Sequence, residues 1–226
     1  MMNRIVIYTC IIGAYDDLLQ PAVADPAFDF VCFVGKGEKT ADRIGVWEIR
    51  EFDCGLDDRR LVSRYPKMHP HLLLPEYEAS VWVDGNVQLL DGIIYDAARK
   101  KLASGVLYSG VSHPARRGVY KETWACWRKV ARLSFAGMVK VWLWLFFHGM
   151  PFNYGLMENN LMFRRHMDPA VVRLDELWWK RLSDVSLRDQ LTFMWCLRKC
   201  GIPVDYFLPE GLNTRNHPGF KYLRHK

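Results

Sequence analysis

The chain has 226 residues, of which 50% are hydrophobic and 25% are charged. This length and composition predict one globular domain with a full core, and the sequence shows no internal repeat or low-complexity linker. The formal net charge of +6 favours anionic partners such as nucleotide phosphates or lipids, and the lack of zinc-finger spacing or a basic tail of the usual kind argues against nucleic acid.

The N-terminal part of the chain predicts the opening of an α/β sheet. Two β-rich runs, 5–12 and 28–34, each lead into a glycine, and residues 46–50 form a third candidate strand. Residues 57–69 follow with helical spacing of apolar and basic side chains. Pro66 lies inside this segment, and we expect it to end the helix early.

The rest of the chain continues the alternation of strands and helices. An apolar run at 79–83 ends abruptly in polar residues, and a second short run follows at 87–90. The remaining predicted elements are a helix at 93–102, a strand at 105–111, one or two helices over 120–147, a strand at 161–163, helices at 169–182 and 187–199, and a strand at 203–208. These elements predict a single domain over residues 1–226.

The segment 139–147 is rich in tryptophan and phenylalanine and is the most hydrophobic stretch of the chain. A spanning helix needs about 20 apolar residues, and Lys140 and His148 interrupt this one. Basic residues upstream, Arg128 and Lys129 among them, are typical of a helix lying in a membrane interface. A helix buried against the sheet explains the same pattern, and both interpretations stay open.

The six cysteines include no Cys-x-x-Cys pair and no metal-ligand spacing. Cys10 and Cys32 lie in apolar strand-like runs, where cysteine is a small buried hydrophobe. We therefore predict reduced thiols and a cytoplasmic protein, with a possible peripheral position on the cytoplasmic face of a membrane. The N-terminal residues are too strand-like for a signal peptide.

Asp84 and Asn86 follow directly after the predicted strand 79–83, with one glycine between them. The strand would deliver both oxygens to the edge of the sheet, and such hard donors suit Mg²⁺ or Mn²⁺ bound to a diphosphate. Asp, Gly and Asn are also residues that favour tight turns, so an ordinary turn at 84–86 is the competing interpretation.

Four groups of residues resemble one known family in their order and spacing: 8–16, 58–67 with 81–86, 151–158 with 164–166, and 186–190. They resemble a glycosyltransferase-like family long catalogued as a domain of unknown function, which includes plant proteins linked to seed mucilage and bacterial polysaccharide-locus proteins. The resemblance covers the chain except for about 130–149. It implies an α/β glycosyltransferase-A-like mixed sheet flanked by helices, the nucleotide-diphospho-sugar transferase fold.

The resemblance and the position of the loops together give a set of donor-binding candidates. Residues after the first strand lie where α/β folds bind nucleotides, and a helix would place its basic residues on one face. The predicted donor-binding residues are Tyr8, Thr9, Tyr15, Arg60, Arg64, Lys67, Asp84 and Lys221. A plain strand-to-helix turn and a solvated basic face are the alternatives for the loop and the helix.

Further candidates belong to the sugar and acceptor side. Glu158 has apolar neighbours and Asp189 opens a helix, where an Asp-Gln pair resembles that of glycogenin-like enzymes. The predicted catalytic residues are Glu158, Asp189 and Gln190, and the predicted acceptor or sugar contacts are His113, Arg116 and Glu122. For Asp189, a charge that complements the helix dipole is the competing explanation.

The resemblance also implies a divalent metal, Mn²⁺ or Mg²⁺. The expected ligands are Asp84 and Asn86, with a late histidine, His217 or His225, as a third. The predicted activity is metal-dependent transfer of a sugar from a nucleotide-diphosphate donor to a glycan or lipid-linked acceptor, in cell-surface polysaccharide synthesis. The cation would neutralise the leaving diphosphate.

Two other classes of function stay open at this level. A lipid amide (ceramide-like) hydrolase would suit the aromatic segment, although the sequence has neither a Gly-x-Ser-x-Gly motif nor a zinc motif. A non-catalytic carbohydrate-binding domain is the other, because a fold does not guarantee activity.

Overall fold

The structure is a computed structural model that describes residues 5–129 and 133–223. The strands are β1 (Ile5–Cys10), β2 (Phe28–Gly35), β3 (Arg43–Ile44), β4 (Trp47–Phe52), β5 (Ala79–Val83), β6 (Val87–Leu89), β7 (Tyr108–Ser112), β8 (Met157–Arg164) and β9 (Phe220–Tyr222). The helices are α1 (Arg59–Met68), α2 (Pro70–Leu73), α3 (Ile93–Ala103), α4 (Val119–Arg128), α5 (Phe135–Phe147), α6 (Pro169–Asp184) and α7 (Gln190–Lys199).

A mixed sheet forms the centre of the molecule. Within the described residues it has seven strands in the order β3-β4-β2-β1-β5-β8-β7. Strands β4, β2, β1 and β5 run parallel, while β8 is antiparallel to both β5 and β7. The chain moves outward from β1 through β2 to β4 and then returns to place β5 on the other side of β1. The strand order therefore reverses between β1 and β5, and α/β folds open a ligand crevice at such a point.

Both faces of this sheet are covered, as its mixed α/β architecture requires. One apolar cluster joins Tyr8 and Trp82 to the inner sides of α6 and α7, including Trp178. The other joins Ile7 and Val81 to α3 and to the segment before β9. The predicted α/β mixed sheet flanked by helices is confirmed.

Most of the predicted strands and helices are confirmed with shifts of a few residues in their bounds, and two of the differences have a clear physical reason. Helix α1 continues through Pro66 because this proline lies in its last turn, where only one helical hydrogen bond is lost. Strand β8 has eight residues rather than the three predicted at 161–163. The first residues of this strand, Glu158 to Asn160, are polar, so a search for apolar runs detects only its second half.

The predicted strand at 203–208 is wrong. Within the described part of the chain, these residues contribute only an isolated bridge between Tyr206 and Gly110. The last strand is instead β9, which pairs antiparallel with β6 in a separate two-stranded sheet. A three-residue strand of this kind depends on its partner rather than on its own apolar pattern.

The aromatic segment forms two helices, α4 and α5, and α5 is only half buried. Met138, Val141 and Leu145 are buried against the protein, whereas Phe146 and Phe147 are 60% and 78% exposed. One side of α5 therefore packs on the protein, as the buried-helix interpretation predicted, and the other side is exposed. None of the helices in the described ranges combines the length and the apolar character that crossing a bilayer would require.

A buried histidine predicts a loss of stability in mild acid. His166 is fully buried, with Nε2 2.9 Å from the Leu74 carbonyl oxygen, and burial lowers its pKa from 6.5 to about 4. The unfolded chain binds this proton between pH 6.5 and pH 4 and the folded chain does not, so stability falls as pH falls. We expect urea unfolding to show a loss of up to about 3 kcal/mol from this group across that range.

The matched variant is His166→Gln, which keeps a hydrogen-bond donor and cannot titrate. Its unfolding free energy should fall less steeply between pH 6.5 and pH 4 than that of the wild type. Equal slopes for the two proteins would contradict a neutral buried His166.

Candidate active site

A cavity of about 720 Å³ opens at the carboxyl ends of β1 and β5. Its walls are the loop after β1, one face of α1, the turn after β5, the start of β8, the residues around the start of α7 and the segment leading into β9. The charged side chains that line it are Arg59, Arg60, Arg64, Lys67, Arg188 and Arg215, and Asp16, Asp84, Glu158 and Asp189. Six basic and four acidic residues leave the described lining with a net charge of +2, which favours an anionic ligand.

The loop after β1 is fixed by a glycine and by the Glu38 carboxylate, which also pairs with Arg59 at 3.8 Å. Gly13 has a φ of +64°, and its N–H donates to the Glu38 carboxylate at 2.9 Å. The Arg59 guanidinium packs so closely on Gly13 that a Cβ there would lie 2.5 Å from Nη2. Glycine is therefore favoured at this position by its backbone angle, whereas the exposed Arg59 side chain could move to make room for a Cβ. Tyr15 follows in the same loop, exposed and facing the cavity.

The basic face predicted for α1 exists and faces the cavity. Arg60, Arg64 and Lys67 lie at positions i, i+4 and i+7 of one helix, and all three line the cavity. Asp58 caps the helix by accepting from the Arg60 N–H at 2.9 Å. The same carboxylate holds the Arg60 guanidinium at 2.9 Å, so the cap also orients one of the cations.

Lys67 connects two carboxylates on opposite walls of the cavity. Its Nζ lies 3.3 Å from Asp84 Oδ1 and 3.0 Å from Asp189 Oδ2, and its side chain is only 7% exposed. Trp82 Nε1 donates to the same Asp84 oxygen at 2.6 Å, and Lys67 Nζ lies 5.4 Å from the Trp82 ring centroid. This lysine therefore ties the turn after β5 to the residue before α7.

Asp189 is an ionised carboxylate at the start of α7. It caps the helix by accepting from the Gln190 N–H at 3.0 Å. Burial raises the pKa of Asp189, but Lys67 and Arg64 outweigh it and the pKa falls to about 2. A carboxylate this acidic is a weak general base at neutral pH, and its permanent charge suits stabilisation of a developing cation.

Gln190 lines the cavity beside Asp189 and is held by two hydrogen bonds. Its Nε2 donates to the Met157 carbonyl at 2.9 Å. Its Oε1 accepts from Arg188 Nη2 at 3.3 Å. These two hydrogen bonds of Gln190 therefore fix the start of α7 against β8, and they hold Arg188 where it lines the cavity.

Glu158 also lines the cavity, paired with an arginine that the sequence did not single out. Arg215 donates from Nε at 3.0 Å and from Nη2 at 2.5 Å to Glu158 Oε1. The Arg215 guanidinium lies 3.7 Å from the ring centroid of Tyr222, which is also part of the lining. The segment before β9 is thus held across the start of β8.

Two asparagines of β8 are further residues that sequence reasoning missed. Asn159 is only 5% exposed and lines the cavity, yet neither its Oδ1 nor its Nδ2 has a hydrogen-bond partner among the described residues. Asn160 beside it donates to Thr214 Oγ1 at 2.7 Å. An unpaired buried amide is costly, so Asn159 is a strong candidate for direct contact with a bound hydroxyl. The sequence signal that could have identified these residues is two adjacent asparagines within the mostly apolar segment 156–163.

The predicted acceptor residues come together, but behind the wall of the cavity. Glu122 is buried and contacts Arg116 at 2.5 Å, Arg188 at 3.2 Å and His113 at 3.5 Å. Burial raises the pKa of Glu122, but His113 and Arg116 lower it below its ordinary value. Of this cluster, only Arg188 is among the lining residues. The other three are therefore placed to hold Arg188 rather than to contact a ligand.

Three predicted donor-binding residues do not face the cavity. Tyr8 is fully buried, and its hydroxyl accepts from Arg164 Nη2 at 2.5 Å. Thr9 lines a separate small pocket of about 10 Å³ behind the turn after β5. Lys221 is exposed on β9 and absent from the described lining. Tyr8 and Thr9 lie within β1, short of the end at which the cavity opens. Lys221 is next to Tyr222, which lines the cavity, so the alternation of side chains along β9 turns Lys221 away. Direct donor contact is corrected to a structural role for Tyr8.

Of the predicted metal ligands in the described ranges, only Asp84 lines the cavity. Asn86 is buried, and its Nδ2 donates to the Leu223 carbonyl at 2.9 Å, which turns the side chain toward β9. His217 accepts from the Gly219 N–H through Nδ1 at 3.0 Å. His225 lies outside the described residues. The described residues contain no group of three or more His, Cys, Asp or Glu side chains that could hold a metal.

A second carboxylate does reach the turn after β5. Asp16, from the loop after β1, lines the cavity, and its Oδ2 lies 3.5 Å from the position of a Cβ on Gly85. Mg²⁺ is commonly bound by one or two carboxylates together with substrate phosphates. The donor set of Asp84 and Asp16 therefore fits a divalent cation that the substrate helps to hold. The buried Oδ1 of Asn86 has no hydrogen-bond partner among the described residues.

Many α/β folds bind ligands where the strand order reverses, and the cavity at that point here has a basic lining. The family described as "TOD1/MUCI70, glycosyltransferase-like domain" matches residues 1–209, and the chain belongs to this family. The family resemblance predicted from the four groups of residues is thus confirmed, and with it a glycosyltransferase-like domain. No curated protein matches the chain significantly.

Two solved structures are similar to this chain at low identity. The crystal structure of mouse xyloside xylosyltransferase 1 in its apo form has a TM-score of 0.48 at 11% identity, covering 89% of this chain and 83% of that one. The apo structure of the bifunctional glycosyltransferase WbbM has a TM-score of 0.42 at 12% identity, covering 91% of this chain and 38% of that one.

Proposed function

We propose that this protein is a metal-dependent glycosyltransferase that moves a sugar from a nucleotide-diphosphate donor to a glycan or lipid-linked acceptor. The observation that carries the proposal is the cavity at the reversal point of the sheet, lined by six basic residues. A volume of about 720 Å³ lies in the usual range for small-molecule sites. Cell-surface polysaccharide synthesis is the proposed context.

The basic face of α1 is the proposed diphosphate site. Arg60 and Arg64 present guanidinium groups to the cavity from successive turns of the helix, and such groups bind phosphate oxygens through charge-assisted hydrogen bonds. Tyr15 projects from the facing loop and offers an aromatic ring for a nucleotide base to stack on.

Asp84 and Asp16 are the proposed holders of Mn²⁺ or Mg²⁺. The cation would neutralise charge that develops on the leaving diphosphate. Lys67 contributes to the same electrostatic balance, because it carries a positive charge between Asp84 and Asp189.

The sugar is proposed to lie between β8 and the start of α7. Asp189 is ionised there and would stabilise positive charge on the sugar ring in the transition state. The unpaired amide of Asn159 would bind a sugar hydroxyl, since it offers both a donor and an acceptor. Glu158 is the remaining lining carboxylate and is the proposed base for the acceptor hydroxyl.

Asp84→Asn tests the proposal most directly. It keeps the size of the side chain and removes the charge that would hold a cation, so Mn²⁺-dependent turnover of nucleotide sugars should fall about 100-fold. A set of nucleotide sugars is first compared by Mn²⁺-dependent thermal stabilisation, and transfer is then measured with the donor that stabilises most.

The matched control is Asp42→Asn, which changes a carboxylate that is 95% exposed and outside the cavity lining. Its turnover and metal response should equal those of the wild type. Unchanged, metal-independent turnover in Asp84→Asn would exclude the proposed metal site. Binding of a nucleoside diphosphate without sugar transfer to any acceptor would exclude the transferase and favour a carbohydrate-binding domain.

A further inference from the structure

The outer side of α5 presents a continuous apolar surface. Phe135, Trp142, Leu143, Phe146 and Phe147 are all exposed, and we call these five residues the apolar face. Helix α5 has 13 residues, and the other four lie seven, eight, eleven and twelve residues after Phe135. At 3.6 residues per turn, these spacings place all five residues along one side of the helix. Scattered single hydrophobic residues are normal on a surface, but a contiguous patch of this kind marks an interaction site.

The apolar face is fixed in place by the rest of the protein. Beneath it, Val141 and Leu145 are buried. At one end Phe135 packs on Trp127 of α4, with ring centroids 5.4 Å apart, and Trp142 Nε1 donates to the Tyr120 carbonyl at 3.0 Å. The surface is therefore preformed and does not depend on refolding when a partner binds.

The exposed charges around the apolar face are all basic within the described residues 119–129 and 133–152. Lys121, Arg128, Lys129 and Lys140 are exposed, whereas the one acidic residue of these ranges, Glu122, is buried. Lys140 donates to the Asp184 carbonyl at 2.9 Å. The Asp184 carboxylate is paired with Arg181 at 3.0 Å, so that neighbouring pair is neutral and the charge of Lys140 remains in excess. The surface therefore combines exposed aromatic rings with a positive rim.

We propose that the apolar face of α5 and its basic rim bind the interface of an anionic lipid membrane. Aromatic side chains insert at the boundary between headgroups and acyl chains, and each lysine or arginine near the surface adds attraction to anionic lipids. A second copy of the chain is the rival occupant, but two such faces would bring two positive rims together. Charge complementarity therefore favours the lipid, and a helix of 13 residues suits a position in the plane of the interface.

Sedimentation with lipid vesicles tests this proposal with the full chain. The protein should sediment with vesicles of phosphatidylcholine and phosphatidylglycerol, and binding should weaken with salt and be far weaker with phosphatidylcholine alone. A double variant, Phe146→Ser with Phe147→Ser, removes the two most exposed rings, so it should fold normally and bind at least about 10-fold more weakly. Arg128→Glu with Lys129→Glu should reduce binding to the anionic vesicles only.

Leu72→Ser is the matched control, because Leu72 is 56% exposed on α2 and lies outside the apolar face. Its binding should equal that of the wild type. Equal binding by Phe146→Ser/Phe147→Ser and the wild type, or no binding to anionic vesicles, would overturn the proposal. A dimer in analytical ultracentrifugation that is lost in the double variant would assign the surface to a second copy instead. The test uses no nucleotide sugar, so it stands apart from the proposed activity.

Discussion

Replacing Lys67 with methionine is expected to reduce sugar transfer by about 100-fold. The variant keeps the apolar stem of the side chain and removes the ammonium that lies 3.3 Å from Asp84 and 3.0 Å from Asp189. Two carboxylates would then face one cavity without their shared counter-ion. The measured quantity is kcat/KM for the donor that gives transfer in the wild type.

The pH profile separates this electrostatic role from a general loss of structure. Burial raises the pKa of Asp189, and Lys67 is the largest influence that lowers it, to about 2. The charge of Asp189 therefore contributes stability above pH 3.8, which is lost as pH falls toward 2. Without Lys67 the pKa of Asp189 should rise, so the acid limb of the turnover profile should move to higher pH.

The matched control for this prediction is Lys101→Met. Lys101 on α3 is also partly buried and pairs with Asp205 at 2.5 Å, but it does not line the cavity. Its turnover and pH profile should remain those of the wild type. If Lys67→Met fails to fold by circular dichroism, Lys67→Arg retains the charge and should keep more activity than Lys67→Gln. Equal activities for Lys67→Gln and the wild type would exclude the proposed role.

Local patterns were sufficient to predict the central strands and most helices. Strands β1, β2 and β5 are buried on both faces, so they appear in the sequence as mostly apolar runs with single polar residues. Strand β9 could not be found in this way, because three residues that pair with β6 carry no periodicity of their own. The start of β8 could not be found in this way either, because its residues Glu158 to Asn160 are polar and line the cavity rather than the apolar core.

The candidate site was predictable where one element carries several of its residues. Helical spacing alone places Arg60, Arg64 and Lys67 on one face. Contacts between distant segments were not predictable, and Arg215 on Glu158 is one example, since 57 residues separate the two. Asp16 beside Gly85 is another, because the loop after β1 reaches the turn after β5 only when these two strands lie side by side.

The orientation of Asn86 shows why a motif does not determine a site. A spacing of two places Asp84 and Asn86 on the same side of an extended strand, yet the chain turns between β5 and β6. Asn86 then packs toward β9 and donates to Leu223. Information about β9, more than 130 residues further along, was needed to see this.

Arg164→Met is expected to reduce the free energy of unfolding by about 3–5 kcal/mol. Arg164 and Asp175 are both fully buried, and Nη1 donates to Oδ1 at 2.8 Å. Arg164 Nη2 also donates to the Tyr8 hydroxyl and to the Lys67 carbonyl. The variant leaves Asp175 buried without its cation and removes the contact that joins β8 to β1 and α1. Urea unfolding at neutral pH measures the loss.

A neighbouring arginine provides the control, because burial rather than the ion pair itself sets the size of the effect. Arg165 pairs with Glu78 at 3.1 Å, but about a third of each side chain is exposed, so Arg165→Met should cost less than about 1 kcal/mol. Replacing both partners, Arg164→Met with Asp175→Leu, should recover part of the loss, since no charge is then left buried alone. The recovery should be incomplete, because Tyr8 and the Lys67 carbonyl still lose a donor. Similar losses for Arg164→Met and Arg165→Met would contradict this account and would place the support of Lys67 elsewhere in the fold.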